Sequence, residues 1–591
     1  MNQLHTGIHN IEKALNQGQV FLAHNIASEL LLEFPDNLRL SQLKVIALNR
    51  LGQPEKAIDI ILSSVENGNK DGETMGLLGR TYKDLYKSSG NSGYLRKSAD
   101  AYYIGYLHSQ EYYPAINAAS LFLMLENRTK AHQMAKEVIA RIGSPIDYWS
   151  TATLGEAWLI LGNIKEAISY YDKAIHNNSR QFGKFQSTFQ QLQFLSDVIQ
   201  VPEELLQLFP KPKIAVFSGH MIDRPDRVDK RFPPEIEPLV REKLKQKVES
   251  LGIDIGFTSL ASGSDIIFME ILKERNAEIK AYLPFKKDDF LTTSVANAGL
   301  GWINRFENCY DCAPKELTSE SYLDTPDLFK HLGEVMMGEC MLFSEQYGTT
   351  PSYITVLAPN QISAPGGTRD LLDFWPYADT HHNIDPTRFL TSPVITPHYE
   401  IKDDQDAQPS NEVERKITNI LFADIVGFSK LLMKDTPEIL LRLLTETRKL
   451  IDPFMDKAEV INTWGDAIIL CHPEVEAVMQ IASILQGVFI GDQAIDLGLP
   501  EGLNIRIALH KGPVFFAPDP LTREPNVYGS SINRTARMEP VTLPGAIYAS
   551  DQFAASLKLG TLDMYRYQHV GIIELPKGFG RQEVYQISNK I

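Results

Sequence analysis

The feature that most constrains this chain is a change of apolar rhythm. From residue 1 to about 205, apolar residues recur at three- and four-residue spacing and proline is scarce. That is the helical period, and a long run of it predicts helix stacked on helix with the apolar faces meeting. Beyond Pro210 short apolar runs alternate with helical segments, the pattern of a mostly parallel sheet. From residue 413 onward strands, hairpins and helices are mixed. A length of 591 residues allows three or four domains. The expected organisation is an all-α repeat region over 1–205, an α/β domain over 211–395, a polar linker over 396–412 and an α+β domain over 413–591.

Within the helical region two segments look alike. LKVIALNRLGQPEKAI runs from Leu43 to Ile58, and TLGEAWLILGNIKEAISYYDKAI from Thr153 to Ile175. In the second, Gly162 marks a turn between helices. Gly155, Ala167 and Ala174 are small enough for paired helices to approach closely, and Trp158 and Tyr171 fill the gaps. This pattern resembles the tetratricopeptide repeat. The first segment shares only the Gly52 and Ala57 half of it, and residues 72–140 read as helical but degenerate. Such solenoids present a concave face to protein partners, so the resemblance implies a protein partner or self-association; the alternative is a packing scaffold for the rest of the chain.

In the middle region KIAVFS ends in Ser218-Gly219-His220. A charged helix follows from Glu235 to Ser250, then IGFTSL, the turn Ala261-Ser262-Gly263-Ser264-Asp265, the helix IIFMEILKER and the strand IKAYLPF. A later strand, SYITVLAP, precedes Pro365-Gly366-Gly367-Thr368-Arg369-Asp370. Gly-rich turns at strand ends aim backbone N–H groups at a ligand, often a phosphate. The region resembles Rossmann-like nucleotide-sensing domains related to the lysine-decarboxylase-like and DprA-like families. Gly219, Gly263, Ser264, Gly367 and Thr368 are the candidate contacts for a regulatory, nucleotide-derived ligand; the alternative is that they are turn glycines and caps.

Composition narrows the remaining classes. A net charge of −16 lacks the broad basic surface of a nucleic-acid binder. No stretch approaches the roughly 18 apolar residues of a membrane span, and the N-terminus has no signal-peptide pattern. Four cysteines in so long a chain suit a reducing cytoplasm. Cys309 and Cys312 form a lone CxxC without the second ligand pair that zinc requires, so packing is expected of them.

Chemistry is concentrated near the C-terminus. In ITNILFADIVGFSKLL, Asp424 ends a buried strand before Gly427. In EVINTWGDAIILC, a hairpin with Trp464-Gly465 at its turn, Asp466 stands beside that turn. Two carboxylates on neighbouring strands suit two divalent cations, Mg²⁺ or Mn²⁺, with the backbone carbonyl of Ile425 as a further oxygen ligand. In NVYGSSINRTARMEP, a helix opening near Ser530 or Ser531 places Asn533 and Arg537 on one face. An amide beside a guanidinium suits charge developing on phosphorus.

FADIVGFS, WGDAII and VYGSSINRTARM, in that order and spacing, resemble the class III adenylyl/guanylyl cyclases. The resemblance implies a ferredoxin-like α+β catalytic domain that converts a nucleoside triphosphate to a 3′,5′-cyclic nucleotide and pyrophosphate. It implies metal binding at Asp424 and Asp466, ribose orientation and transition-state stabilisation by Asn533 and Arg537, and triphosphate binding by Lys577 of ELPKGFGRQEVYQI. It further implies a homodimer whose sites take metals from one subunit and Asn/Arg from the other.

The base-selecting pair departs from the family. Asn462 and Asn526 stand where adenylyl cyclases usually have Lys with Asp or Thr, and guanylyl cyclases Glu and Cys. An amide both donates and accepts, so these residues do not choose a base. ATP is favoured on family grounds. Alternatives are a pyrimidine cyclase using UTP or CTP in phage defence, and a ligand-sensing scaffold with a silent cyclase. The phosphate-contacting HxGR segment reads His510-Lys511-Gly512-Pro513, with Lys511 either exposed surface or a partial substitute for the arginine.

Overall fold

The computed structural model describes residues 2–590 apart from 17–19, 179, 324–325, 360–366, 391–412, 429–435, 490–493, 495, 498 and 500–502. The expected linker, 396–412, lies outside the described residues. The rest forms two compact units: Met1–Lys211 with Val570–Glu574, and Pro212–His569 with Leu575–Ile591.

The first unit is a helical array, running among the described residues from the Asn2–Asn16 helix to the short Glu203–Gln207 helix. Gly162, at φ 79°, turns the chain between the Tyr148–Ile160 and Ile164–His176 helices. A Cβ at Gly155 would stand 2.9 Å from the Tyr171 ring, so the hydrogen there is what lets these helices close. Ala167, Tyr171 and Ala174 are buried against them. The stretch that reads as degenerate repeats the device. A Cβ at Gly79 would come 2.6 Å from Tyr102, and Ser98 Oγ donates to the Gly79 carbonyl at 2.6 Å.

The second unit holds two sheets. The first contains β1 (Ile214–Gly219), β2 (Ile255–Thr258), β3 (Glu278–Leu283), β4 (Lys315–Glu316), β5 (Ser352–Val356) and β6 (His381–Ile384). Every pairing is parallel and the order is β4-β3-β2-β1-β5-β6. Strands with both faces covered must be apolar throughout, and β2 is buried at every residue. The order reverses direction between β1 and β5, which opens a crevice at their C-terminal ends.

The second sheet contains β7 (Glu414–Val426), β8 (Val460–Trp464), β9 (Ala467–His472), β10 (Asn504–Pro518), β11 (Pro525–Tyr528), β12 (Ile547–Ser550), β13 (Tyr565–Leu575), of which Tyr565–His569 and Leu575 belong to this unit, and β14 (Gly580–Asn589). Its order is β13-β14-β12-β10-β7-β9-β8, with β11 folded back on β10. β7 and β10 pair antiparallel without a bulge from Val426 opposite Asn504 to Glu414 opposite Phe516. Leu421 and Ala423 face a core with the Val475–Val488 and Asp551–Thr561 helices, while Ile420 faces a smaller cluster with Val460, Cys471, Val514 and Val527.

The two sheets are joined helix to helix. A Cβ on Gly338 of the Asp327–Gln346 helix would collide with the Ala555 carbonyl of the Asp551–Thr561 helix. Around that crossing Lys315 pairs with Asp551, Glu339 (2.9 Å) and Glu583 (3.3 Å). His331 bonds Gln552 at 2.9 Å. Lys511 meets Glu334 at 2.6 Å with both side chains 14% exposed. The expectation of Lys511 as exposed surface is thereby corrected: it is a half-buried ion pair between the two sheet regions.

Candidate active site

Asp424, partly exposed between buried Ala423 and Ile425 near the end of β7, pairs with Arg506 of β10 on one side and Ala467 of β9 on the other. Asp466 immediately precedes Ala467, after a turn at which Gly465 takes φ 67°. The two carboxylates feel each other. Burial and then the charge of Asp466 raise the Asp424 pKa, and Arg506 pulls it back. Among the described residues no three His, Cys, Asp or Glu side chains converge on a metal position. Two carboxylates offer few ligands, so a cation held by them would take most of its oxygens from substrate phosphate and water.

Glu539 is the residue sequence reasoning missed, although it lies inside the quoted ARMEP motif. It follows the Ser530–Met538 helix, is 6% exposed, and reaches Arg506 Nη1 at 3.5 Å. Burial first, then the charge of Asp424, raises its pKa to about 7. Arg506 is therefore shared between a strand-end aspartate and this glutamate.

Asn533 and Arg537 both lie on the Ser530–Met538 helix, one turn apart. Asn533 is exposed and Arg537 partly so. Among the described residues neither side chain has a hydrogen-bond or ion-pair partner in the subunit. The helix is seated on the sheet through Gly512, where a Cβ would stand 2.5 Å from Ser531 Oγ, and through Ile532, which packs on the Ile420 cluster. His510, two residues earlier on β10, is buried, bonds Ser550 at 2.9 Å, and has its pKa driven well down by burial and then by Arg534.

The remaining expected contacts are more scattered. Asn462 pairs with Ile469 on β8–β9, which by strand alternation sets it on the Asp424 face. Asn526 pairs with Ala517, out of phase with Val527. Its Nδ2 donates to Asp519 at 3.2 Å and its Oδ1 accepts from the Val527 N–H at 2.9 Å. Both ends of the Asn526 amide are thus engaged inside the subunit. Lys577 is exposed in the Pro576–Gly578 turn between β13 and β14, at φ 59°.

The parallel sheet carries a cavity of about 400 Å³ at the C-terminal ends of β1, β2 and β5. Gly219, Gly367 and Thr368 line it. Gly263 and Ser264 instead build its frame: Ser264 Oγ donates to the His220 carbonyl at 2.8 Å, and Gly263, at φ 108°, crosses so close to Met221 and Ile222 that no side chain fits. The unanticipated lining is chemically richer. Phe290, Tyr322 and Phe329 form an aromatic wall, and Arg231, Arg369, His220 and Asp265 stand at the polar side. Asp265 Oδ1 is buried without a hydrogen-bond partner, and burial pushes this carboxyl up to about 7. His220 Nε2 accepts from the Ala358 N–H at 2.9 Å, and burial holds its pKa at about 3, so the ring is neutral with its proton on Nδ1. Cys309 is a packed core residue whose thiol burial raises to about 11.

Residues 410–589 match the adenylate and guanylate cyclase catalytic domain, and residues 22–123 match the Tetratricopeptide Repeats-Sensor family. Guanylate cyclase 2G of Rattus norvegicus is 30% identical over 186 residues, 29% of this chain and 16% of that one. Putative adenylate cyclase 3 of Rhizobium meliloti is 24% identical over 143 residues, 24% of this chain and 23% of that one. Among solved structures, the adenylyl cyclase CyaB from P. aeruginosa is 19% identical, with a TM-score of 0.27, over 31% of this chain and 98% of that chain. The chain spans less than a quarter of the length of the two curated relatives.

The C-terminal segment is a class III cyclase catalytic domain. This chain carries it behind a Tetratricopeptide Repeats-Sensor segment, with the parallel sheet between them. No helix among the described residues is long and apolar enough to cross a membrane.

Proposed function

We propose that the chain is a homodimeric nucleotidyl cyclase, with ATP the favoured substrate, governed by its upstream regions. The observation that carries this reading is the pairing of two carboxylates of like charge, Asp424 and Asp466, with an amide and a guanidinium, Asn533 and Arg537, that have no partner among the described residues.

Asp424 and Asp466, with the Ile425 carbonyl, would hold two divalent ions. When bound, the ions supply Lewis acidity to the ribose 3′-hydroxyl and neutralise the triphosphate. The 3′-hydroxyl oxygen attacks the α-phosphorus, its proton passes to a substrate phosphate oxygen or water, and pyrophosphate leaves. Arg537 of the second subunit sits against the negative charge that builds on the phosphoryl oxygens, and Asn533 fixes the ribose. Lys577 offsets triphosphate charge and Asn462 faces the base, while Asn526 reaches it only by releasing Asp519 and the Val527 N–H.

Asp424→Ala and Arg537→Ala each abolish turnover alone, and mixing the two folded variants restores one site in each mixed dimer. No recovery on mixing would overturn the shared site. Incubation with each of ATP, GTP, CTP and UTP plus Mn²⁺, with products resolved by mass, identifies the base.

The cavity supports a second element of this reading: the parallel sheet takes a nucleotide-derived regulatory ligand. An aromatic wall accepts a base, Asp265 Oδ1 accepts from hydroxyls, and Arg231 and Arg369 suit phosphate. Gly219, Gly367 and Thr368 would contact it, with Gly263 and Ser264 holding the frame.

A further inference from the structure

The Ser530–Met538 helix has no cap of its own. Its N-cap residue is Gly529, which carries no side chain and makes no capping bond. A helix opening without a cap leaves N–H groups unsatisfied. Here the cap comes from 210 residues away. Glu320 Oε1 accepts from the Ser530 N–H at 3.0 Å and from Ser530 Oγ at 2.7 Å. A carboxylate at a helix N-terminus is also favoured by the aligned peptide dipoles.

Glu320 is itself held. Its Oε2 meets Arg415 Nη2 at 3.1 Å, in a pair only 8% and 15% exposed. Arg415 also donates to the Tyr322 carbonyl at 2.8 Å and to the Ser321 carbonyl at 3.0 Å. The same few residues then reach the cavity. The Tyr322 N–H bonds Asp289 Oδ2 at 3.1 Å, and the Tyr322 ring, against Phe285 and Phe329, forms part of the cavity wall. Thr318–Tyr322 is thus a five-residue segment with a ring in the cavity wall and a carboxylate on the helix that presents Asn533 and Arg537.

We propose that Glu320 is a positioning residue for the catalytic helix, and that filling the parallel-sheet cavity moves or steadies that helix through Thr318–Tyr322. The coupling rests on the reading of residues 410–589 as the working catalytic domain and of the cavity as a ligand site. It acts through one helix cap, so it governs the residues brought to the partner subunit and leaves the aspartate pair untouched.

The test uses the full chain and reads two signals. In Glu320→Ala, kcat with ATP and Mn²⁺ falls about five- to tenfold, as loss of a cap and misplacement of its helix predict, while KM stays within about twofold. Amide exchange over 530–538 accelerates in the same variant. Glu320→Gln, which keeps one acceptor oxygen, lies between. For the cavity, Ala261→Cys in the lining is modified with benzyl methanethiosulfonate and compared with its own unmodified form, completeness being checked by mass. Modification changes exchange over 530–538 and changes turnover at least threefold; reductant reverses both; neither response survives in Ala261→Cys with Glu320→Ala. Unchanged exchange in Glu320→Ala, full modification without effect on 530–538, or a response that persists without Glu320 would each overturn the proposal. Exchange needs no turnover, so a chain without cyclase activity still decides the coupling. The covalent probe needs no natural ligand, so a cavity that binds no nucleotide still reports it.

Discussion

Arg506 stands opposite Asp424 across β10 and β7 and reaches Glu539 Oε1 at 3.5 Å, so one guanidinium serves two carboxylates with raised pKa values. Its charge opposes the rise that burial and Asp466 impose on the aspartate.

Arg506→Met removes the cation that, among the described residues, lowers the Asp424 pKa. The carboxyl must be ionised to ligate metal, so the acid limb of the turnover profile moves to higher pH. Turnover at pH 6.5 falls more than turnover at pH 8.5. A pH–kcat series on both proteins checks this; parallel profiles would leave Arg506 without that role.

Glu539 has a folded pKa of about 7, above its ordinary 4.5. The unfolded chain therefore loses its proton first as pH rises, and stability falls between about pH 4.5 and 7. Glu539→Gln removes this contribution. Melting curves with chelator present show a smaller drop from pH 5 to pH 8 in the variant than in the parent.

Lys511→Ala leaves Glu334 half-buried without its cation, which costs more than removing both groups. Lys511→Ala lowers the melting temperature, and adding Glu334→Ala recovers part of the loss. A double variant no better than the single one would show that the unpaired glutamate carries no penalty.

Asn462→Glu puts an acceptor-only group on the Asp424 face, matched to the N–H edge of guanine. The GTP:ATP turnover ratio rises about tenfold, from the worth of one matched hydrogen-bond pair. Product mass spectrometry on equal mixtures reads the ratio directly.

Gly155→Ala forces a methyl to within 2.9 Å of Tyr171 and costs roughly 1–3 kcal/mol of overpacking. Chemical denaturation followed by helical circular dichroism measures it, and Tyr171→Leu in the same chain relieves most of it.

What was legible in the sequence was local. Asp424, Gly465-Asp466 and Ser530–Arg537 sit in short motifs where strand end, turn and helix opening are each written in a few residues, and the structure has those elements there. The Gly155/Tyr171 packing was visible because the residues are close in sequence. The Gly79/Tyr102 version was not, because a longer helix pair separates glycine from ring. Glu320 on Ser530 and Glu334 on Lys511 join residues 210 and 177 positions apart, and no periodicity encodes such pairs. Asp265 and His220 could have been suspected from their places beside the glycine turns, but their burial and the aromatic wall opposite come only with the fold.

β7 carries Arg415 near one end and Asp424 near the other. Along an unbulged strand, odd and even positions point oppositely, so these two side chains emerge from opposite surfaces of the same sheet. Glu320 links the two, one oxygen accepting from the arginine and the other from the helix whose Ile532 packs on the Ile420 face. News of the cavity would thus pass around the end of β7 instead of through the sheet, and a single-residue insertion within β7 would silence the conversation by turning one correspondent to the wrong side while leaving both amino acids in place.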